Sequence, residues 1–168
     1  VRSFTAQQKY KLPVWSESSH KMVFFFSNDT SLNNYQMTLY DFELSASLSF
    51  GDTLDAKLDA TLVPSQWRSP FFSKDGDRLF FGVHDRAVKE QEDSLLDEEK
   101  YHLDVWHFMD HQIQPQQKKR LSRDKKKSDL YVYNINLVSL NKLSNDTLSV
   151  MVTDKYEPAY ALAYSNES

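Results

Sequence analysis

Short apolar runs separated by polar turns occupy most of this chain, and their spacing predicts strands. Pro13-Val14-Trp15 opens one strand, Ser16 to Lys21 turns, and Met22–Ser27 returns. After a polar loop from Asn28 to Asn34, Tyr35–Phe42 alternates as a third strand. Ser45–Phe50 and Lys57–Val63 are further candidates, with Gly51-Asp52 as a turn. Pro70-Phe71-Phe72-Ser73 starts a second hairpin. Lys74-Asp75-Gly76-Asp77 is its turn and Arg78–Val83 its return strand. Asp-Gly suggests a two-residue hairpin turn, and His20, standing where the first copy lacks Gly, suggests that the first turn differs. Leu130–Ile135, Leu143–Asp146, Leu148–Thr153 and Glu157–Ser165 supply later strands and turns, and residues 1–12 read as the last strand of a preceding unit.

The two hairpins say nearly the same thing. Trp15-Ser16 followed by Lys21 and an apolar strand is matched by Phe72-Ser73 followed by Arg78 and an apolar strand. A recurring hairpin of this kind marks the blade of a β-propeller. The expected fold is therefore all-β: a partial β-propeller of about two to three four-stranded antiparallel blades with one long insertion. Residues 1–69 form the first blade region of a single segment and 70–168 the second, with the insertion at 84–129. Phe24, Phe26, Leu79, Phe81, Tyr131 and Tyr133 are the expected inter-blade packing residues. A blade cannot bury both faces alone, so the chain reads as a slice of a larger ring. It begins at Val1 in mid-pattern, as an excised or processed segment would. Its exposed blade edges are expected to favour self-association.

Composition agrees. Hydrophobic residues make up 40% and aromatics 14%, with three Gly and five Pro, which suits packed sheet. The absence of Cys excludes disulfides, thiolate metal sites and a Cys nucleophile. A net charge of −4 gives no general affinity for nucleic acid. No apolar run approaches the length of a membrane span.

The insertion has an acid-rich part with helical character around Glu90–Glu99, an apolar aromatic part from Tyr101 to Met109, and a basic run from Lys118 to Lys127. The paired Trp-Ser…Lys and Phe-Ser-x-Asp-Gly motifs resemble the TolB-like propeller repeat. Leu95-Leu96-Asp97-Glu98-Glu99-Lys100, Asp104-Val105-Trp106-His107, Gln114-Pro115-Gln116-Gln117 and the following Leu-Tyr-Val-Tyr strand resemble the propeller of bacterial prolyl oligopeptidase-family serine peptidases. The likeness is best over residues 70–165.

That resemblance implies a non-catalytic portion that gates and positions peptide substrate. Its partners would be the missing propeller blades and a C-terminal α/β-hydrolase domain, and its setting periplasmic or secreted. It also implies that Glu98 and Glu99 bind a substrate ammonium, as neighbouring glutamates do in the dipeptidyl-peptidase branch; a solvated acidic turn is the plain alternative. No catalytic residue is expected here. Gly51, Gly76 and Gly82 are the only glycines, and none supports a Gly-x-Ser-x-Gly elbow. His102, His107 and His111 with Asp104 and Asp110 are weighed as metal ligands and set aside, because strand alternation parts them and no His-Glu-x-x-His motif occurs. No metal or cofactor is therefore expected. Trp15, Trp67 and Trp106 are read as core aromatics rather than a ligand platform. The alternative function is an interaction or ligand-binding propeller module of an envelope or secreted protein without peptidase activity.

Overall fold

The computed structural model describes residues 9–27, 34–51, 58–88, 123, 126–145, 147–152 and 161–165. The chain divides into two compact units, residues 1–87 with 128–168 and residues 88–127. The described strands all lie in the first unit. They are β1 (Lys9–Trp15), β2 (Lys21–Ser27), β3 (Gln36–Asp41), β4 (Ala46–Phe50), β5 (Leu62–Pro64), β6 (Phe71–Phe72), β7 (Arg78–Asp85), β8 (Asp129–Asn134), β9 (Ser139–Lys142), β10 (Leu148–Met151) and β11 (Leu162–Ser165).

All pairings are antiparallel. Sheet 1 is the meander β1-β2-β3-β4. Sheet 2 runs β5-β7-β8-β9, with β6 also on β7, and β10 pairs with β11. The all-β expectation thus holds among the described residues, whose sheets form neither a closed barrel nor a closed ring. β5 and β6 act as one interrupted edge strand, since both lie along β7, at Val83–Asp85 and at Leu79–Phe80.

Several boundaries depart from the sequence expectation. β1 starts at Lys9, so residues 9–12 belong to sheet 1 itself. The register shifts between Lys11 and Val14, and Leu12 takes a φ of 51°. Pro13 has no N–H for the ladder, and a bulge there removes the need for one. The fourth strand of sheet 2 is Ser139–Lys142, not Leu143–Asp146. Asn145 instead turns the chain into β10, its side chain accepting hydrogen bonds from the Thr147 and Leu148 amides.

Side chains alternate across a strand, and the alternation sets the core. Val23, Phe25, Met37, Leu39 and Phe50 of sheet 1 pack with Phe72, Leu79, Phe81, Val83 and Tyr133 of sheet 2 in one apolar cluster. The Phe50 ring lies 5.4 Å from that of Phe81 and 4.9 Å from that of Tyr133, centroid to centroid. Full burial of each such side chain is worth about 1.5–3 kcal/mol. Leu79, Phe81 and Tyr133 fill the expected packing role, and Tyr131 packs against the cluster. Phe24 and Phe26 do not take part in this interface between sheets 1 and 2. They are half-buried on the opposite face of β2, and the fully buried residues are their neighbours Val23 and Phe25. In an unbroken apolar run the periodicity leaves the inward face undetermined.

Candidate interaction surface

The two sheets are copies of one unit, and the correspondence extends to individual hydrogen bonds. In sheet 1 the Ser16 amide donates to the Lys21 carbonyl, the Ser19 amide to the Ser16 carbonyl, and the Lys21 amide to Ser16 Oγ. In sheet 2 the Ser73 amide donates to the Arg78 carbonyl, the Gly76 amide to the Ser73 carbonyl, and the Arg78 amide to Ser73 Oγ. The Phe42 and Ile135 amides both donate to the preceding hairpin, at the His20 and Asp77 carbonyls. The β3–β4 and β8–β9 turns also match. Asp41 and Asn134 each accept backbone amides through their side chains, and Ser45 and Val138 have φ of 50° and 52°.

These contacts correct the turn expected from sequence. Four residues lie between Ser73 and Arg78, and Gly76 alone among them has positive φ, at 72°. Its counterpart is Ser19 at 59°, not His20, so the two turns share one form. Asp75 accepts from the Ser73 hydroxyl and, at 3.0 Å, from the Asp77 amide. Those two hydrogen bonds, the Ser73 hydroxyl first, hold its carboxyl below the usual range. A left-handed serine is strained by its Cβ. Ser19→Gly is therefore expected to stabilise the fold by about 0.5–1 kcal/mol, after the greater chain entropy of glycine is subtracted. A higher thermal midpoint than that of the parent would register it.

Register now fixes which side chains share a face. The front face of sheet 2 carries Pro64, Phe72, Leu79, Phe81, Val83, Tyr131, Tyr133 and Leu140, and it packs on the back face of sheet 1. The equivalent front face of sheet 1 carries Tyr10, Trp15, Met22, Phe24, Phe26, Thr38, Tyr40 and Ser47. Phe42, the counterpart of Ile135, joins it. Trp15 stacks on Phe42 at 5.3 Å, and the Tyr40 ring meets Phe42 edge-on at 4.7 Å. Further along, Phe24 lies 6.0 Å from Tyr10 and 6.5 Å from Phe26. Trp15 is 52% exposed, Phe42 45% and Tyr10 38%. Together these rings make a contiguous aromatic face that stays partly open to water.

The stack is therefore head to tail: the back of one unit lies on the front of the next. The sister turns lie side by side, with Lys21 Nζ donating to the Gly76 carbonyl at 3.0 Å. A second link crosses at Lys11, whose Nζ donates to Gln66 Oε1 at 2.6 Å and lies 4.9 Å from the centre of the Tyr35 ring. The copies differ on their back faces. Gly82 stands where sheet 1 has Phe25, and a Cβ there would come within 2.8 Å of both Arg68 Cβ and Ser128 Oγ. The segment between β5 and β6 thus lies against the back of sheet 2.

Glu98, Glu99, Trp106 and the cluster His102, Asp104, His107, Asp110 and His111 lie outside the described residues, as does most of the basic run. Trp67, 46% exposed, and Trp15 are not core residues, contrary to the sequence expectation. Each sits where its strand or loop faces outward. Among the described residues no three His, Asp or Glu side chains are grouped to hold a metal. Nor is any helix there long and apolar enough to cross a membrane.

Sequence reasoning missed Tyr10, Met22, Tyr40 and Phe42 as members of one surface. The unbroken run Met22-Val23-Phe24-Phe25-Phe26 was the available signal, because a strand apolar on both sides is built to be covered on both. No family model matches this chain, and no curated protein matches it.

Proposed function

We propose that this chain is the non-catalytic β-propeller portion of a prolyl oligopeptidase-like serine peptidase. It gates and positions peptide substrate for an α/β-hydrolase domain carried elsewhere in the polypeptide. The observation that supports this most is the head-to-tail stack of a four-stranded meander on a five-stranded sheet whose edge is split between β5 and β6; stacked antiparallel sheets of this kind are what propellers are built from. The motif resemblance around Trp106 and Gln114–Gln117 supplies the link to the peptidase family. In this reading Glu98 and Glu99 hold the substrate's amino terminus as paired acceptors.

The test is peptide cleavage by the polypeptide as encoded. Cleavage of peptides with a free amino terminus, with KM raised about tenfold or more in Glu98→Gln/Glu99→Gln and kcat little changed, is the expected outcome for lost uniform binding. The 168-residue chain alone is expected to hydrolyse nothing. An encoded polypeptide with no Gly-x-Ser-x-Gly elbow excludes the peptidase and leaves a propeller interaction or ligand-binding module without peptidase activity.

A further inference from the structure

The sister strands β2 and β7 carry the same apolar pattern but meet different surroundings. Along β7, Leu79, Phe81 and Val83 on the front and Phe80 on the back are all buried, none more than 4% exposed. Along β2 only the back is fully buried, and Met22, Phe24 and Phe26 on the front are half-buried. Position by position, the front of sheet 2 shows what such a face is for. Phe72, the counterpart of Trp15, belongs to the core cluster, and Ile135 and Leu140, the counterparts of Phe42 and Ser47, pack against it.

We propose that the front face of sheet 1 is the docking surface for a further four-stranded antiparallel sheet of the same repeat, contributed by the same polypeptide outside these 168 residues. The incoming sheet lies head to tail, its back face on Trp15, Phe24, Tyr40 and Phe42. The interface already present in this chain dictates that geometry, because a head-to-tail contact repeats until its ring closes. It also dictates a polar feature. Lys21 reaches the carbonyl of the left-handed residue in the next turn, Gly76. The incoming sheet therefore carries Lys or Arg at the position of Lys21, with its tip at the Ser19 carbonyl. A second copy of this chain is the poorer occupant. It would have to offer the back of its own sheet 2, where Phe80 and Leu130 are already buried at 4% and 3% exposure.

This inference requires the stacked repeat and not the peptidase assignment. A polypeptide without a hydrolase elbow leaves it standing, and a peptidase without a further repeat overturns it.

Because the chain has no Cys, single thiols report the face. Ser47→Cys and, as a second variant, Met22→Cys place a thiol on the front of sheet 1, at the positions of Leu140 and Leu79. Leu137→Cys, in the exposed β8–β9 turn, is the control. Each is labelled with a maleimide in the 168-residue chain and in the longer encoded polypeptide, and mass spectrometry locates the label. The expected result is labelling at least about tenfold slower at Ser47→Cys and Met22→Cys in the longer polypeptide, as for a site exposed only by local opening, with Leu137→Cys unchanged. Equal rates in the two contexts overturn the proposal. So does an encoded polypeptide lacking a further Ser turn with Lys or Arg five residues on. Protection that grows with concentration in the 168-residue chain, together with a doubled mass in light scattering, would instead assign the face to a second copy and overturn the occupant named here.

Discussion

Phe50→Ala is expected to destabilise the fold by about 3–5 kcal/mol, the cost of removing a large buried ring and leaving a cavity. Phe50 ends β4 of sheet 1, is fully buried, and meets both Phe81 and Tyr133 of sheet 2. The loss is therefore a loss of adhesion between sheets, and neighbours on two different sheets cannot both close the gap. Urea unfolding would show it as a lower midpoint at unchanged slope. Phe24→Ala is the informative comparison. It removes the same ring from the half-buried front face and is expected to cost less in this chain, about 1–2 kcal/mol, since part of that ring stays in contact with water. Equal costs for the two substitutions would mean that the faces of sheet 1 have been assigned the wrong way round.

Gly51→Ala is expected to cost about 2–5 kcal/mol, from two sources that can be separated. Gly51 has a φ of 82°, where a Cβ adds about 1–2 kcal/mol. The added Cβ would also run into Pro64 Cδ, and overpacking against so rigid a ring adds about 1–3 kcal/mol. Arg86 holds the Gly51 carbonyl at 2.9 Å through Nη2, so the backbone cannot drift away without losing that bond. In the Gly51→Ala/Pro64→Ala double variant the steric part is expected to vanish and the φ part to remain. Non-additivity in a double-mutant cycle by denaturant unfolding measures the difference. Strict additivity would show that the close approach of the two segments is not tight in solution.

The hairpin repeat was legible because its markers are local. Ser16 and Ser73 close their turns on Lys21 and Arg78 through the same hydrogen bonds, and a residue pattern at fixed spacing is enough to reveal that. The β3–β4 and β8–β9 equivalence was harder to see. Asp41 and Asn134 play one role, yet Ser45 and Val138 share a left-handed conformation that neither residue type advertises. Ser19 was likewise hidden, since serine gives no sign of the positive φ that Gly76 announces. The acidic pair Glu98 and Glu99 belongs to a segment outside the described residues, and its role rests on the resemblance alone.

The all-β class, the antiparallel hairpins and the recurrence of the Ser turn follow from the sequence by itself, because alternation, turn chemistry and apolar runs act over a few neighbouring residues. Which face of β2 turns inward did not, because Met22 through Phe26 are apolar on both sides and local rules favour neither. Only the packing of one sheet against the other decided that Val23 and Phe25 would be buried, with Phe24 and Phe26 left on the front. Burial is a property of what lies across an interface, and residues brought together from distant parts of the chain supply it.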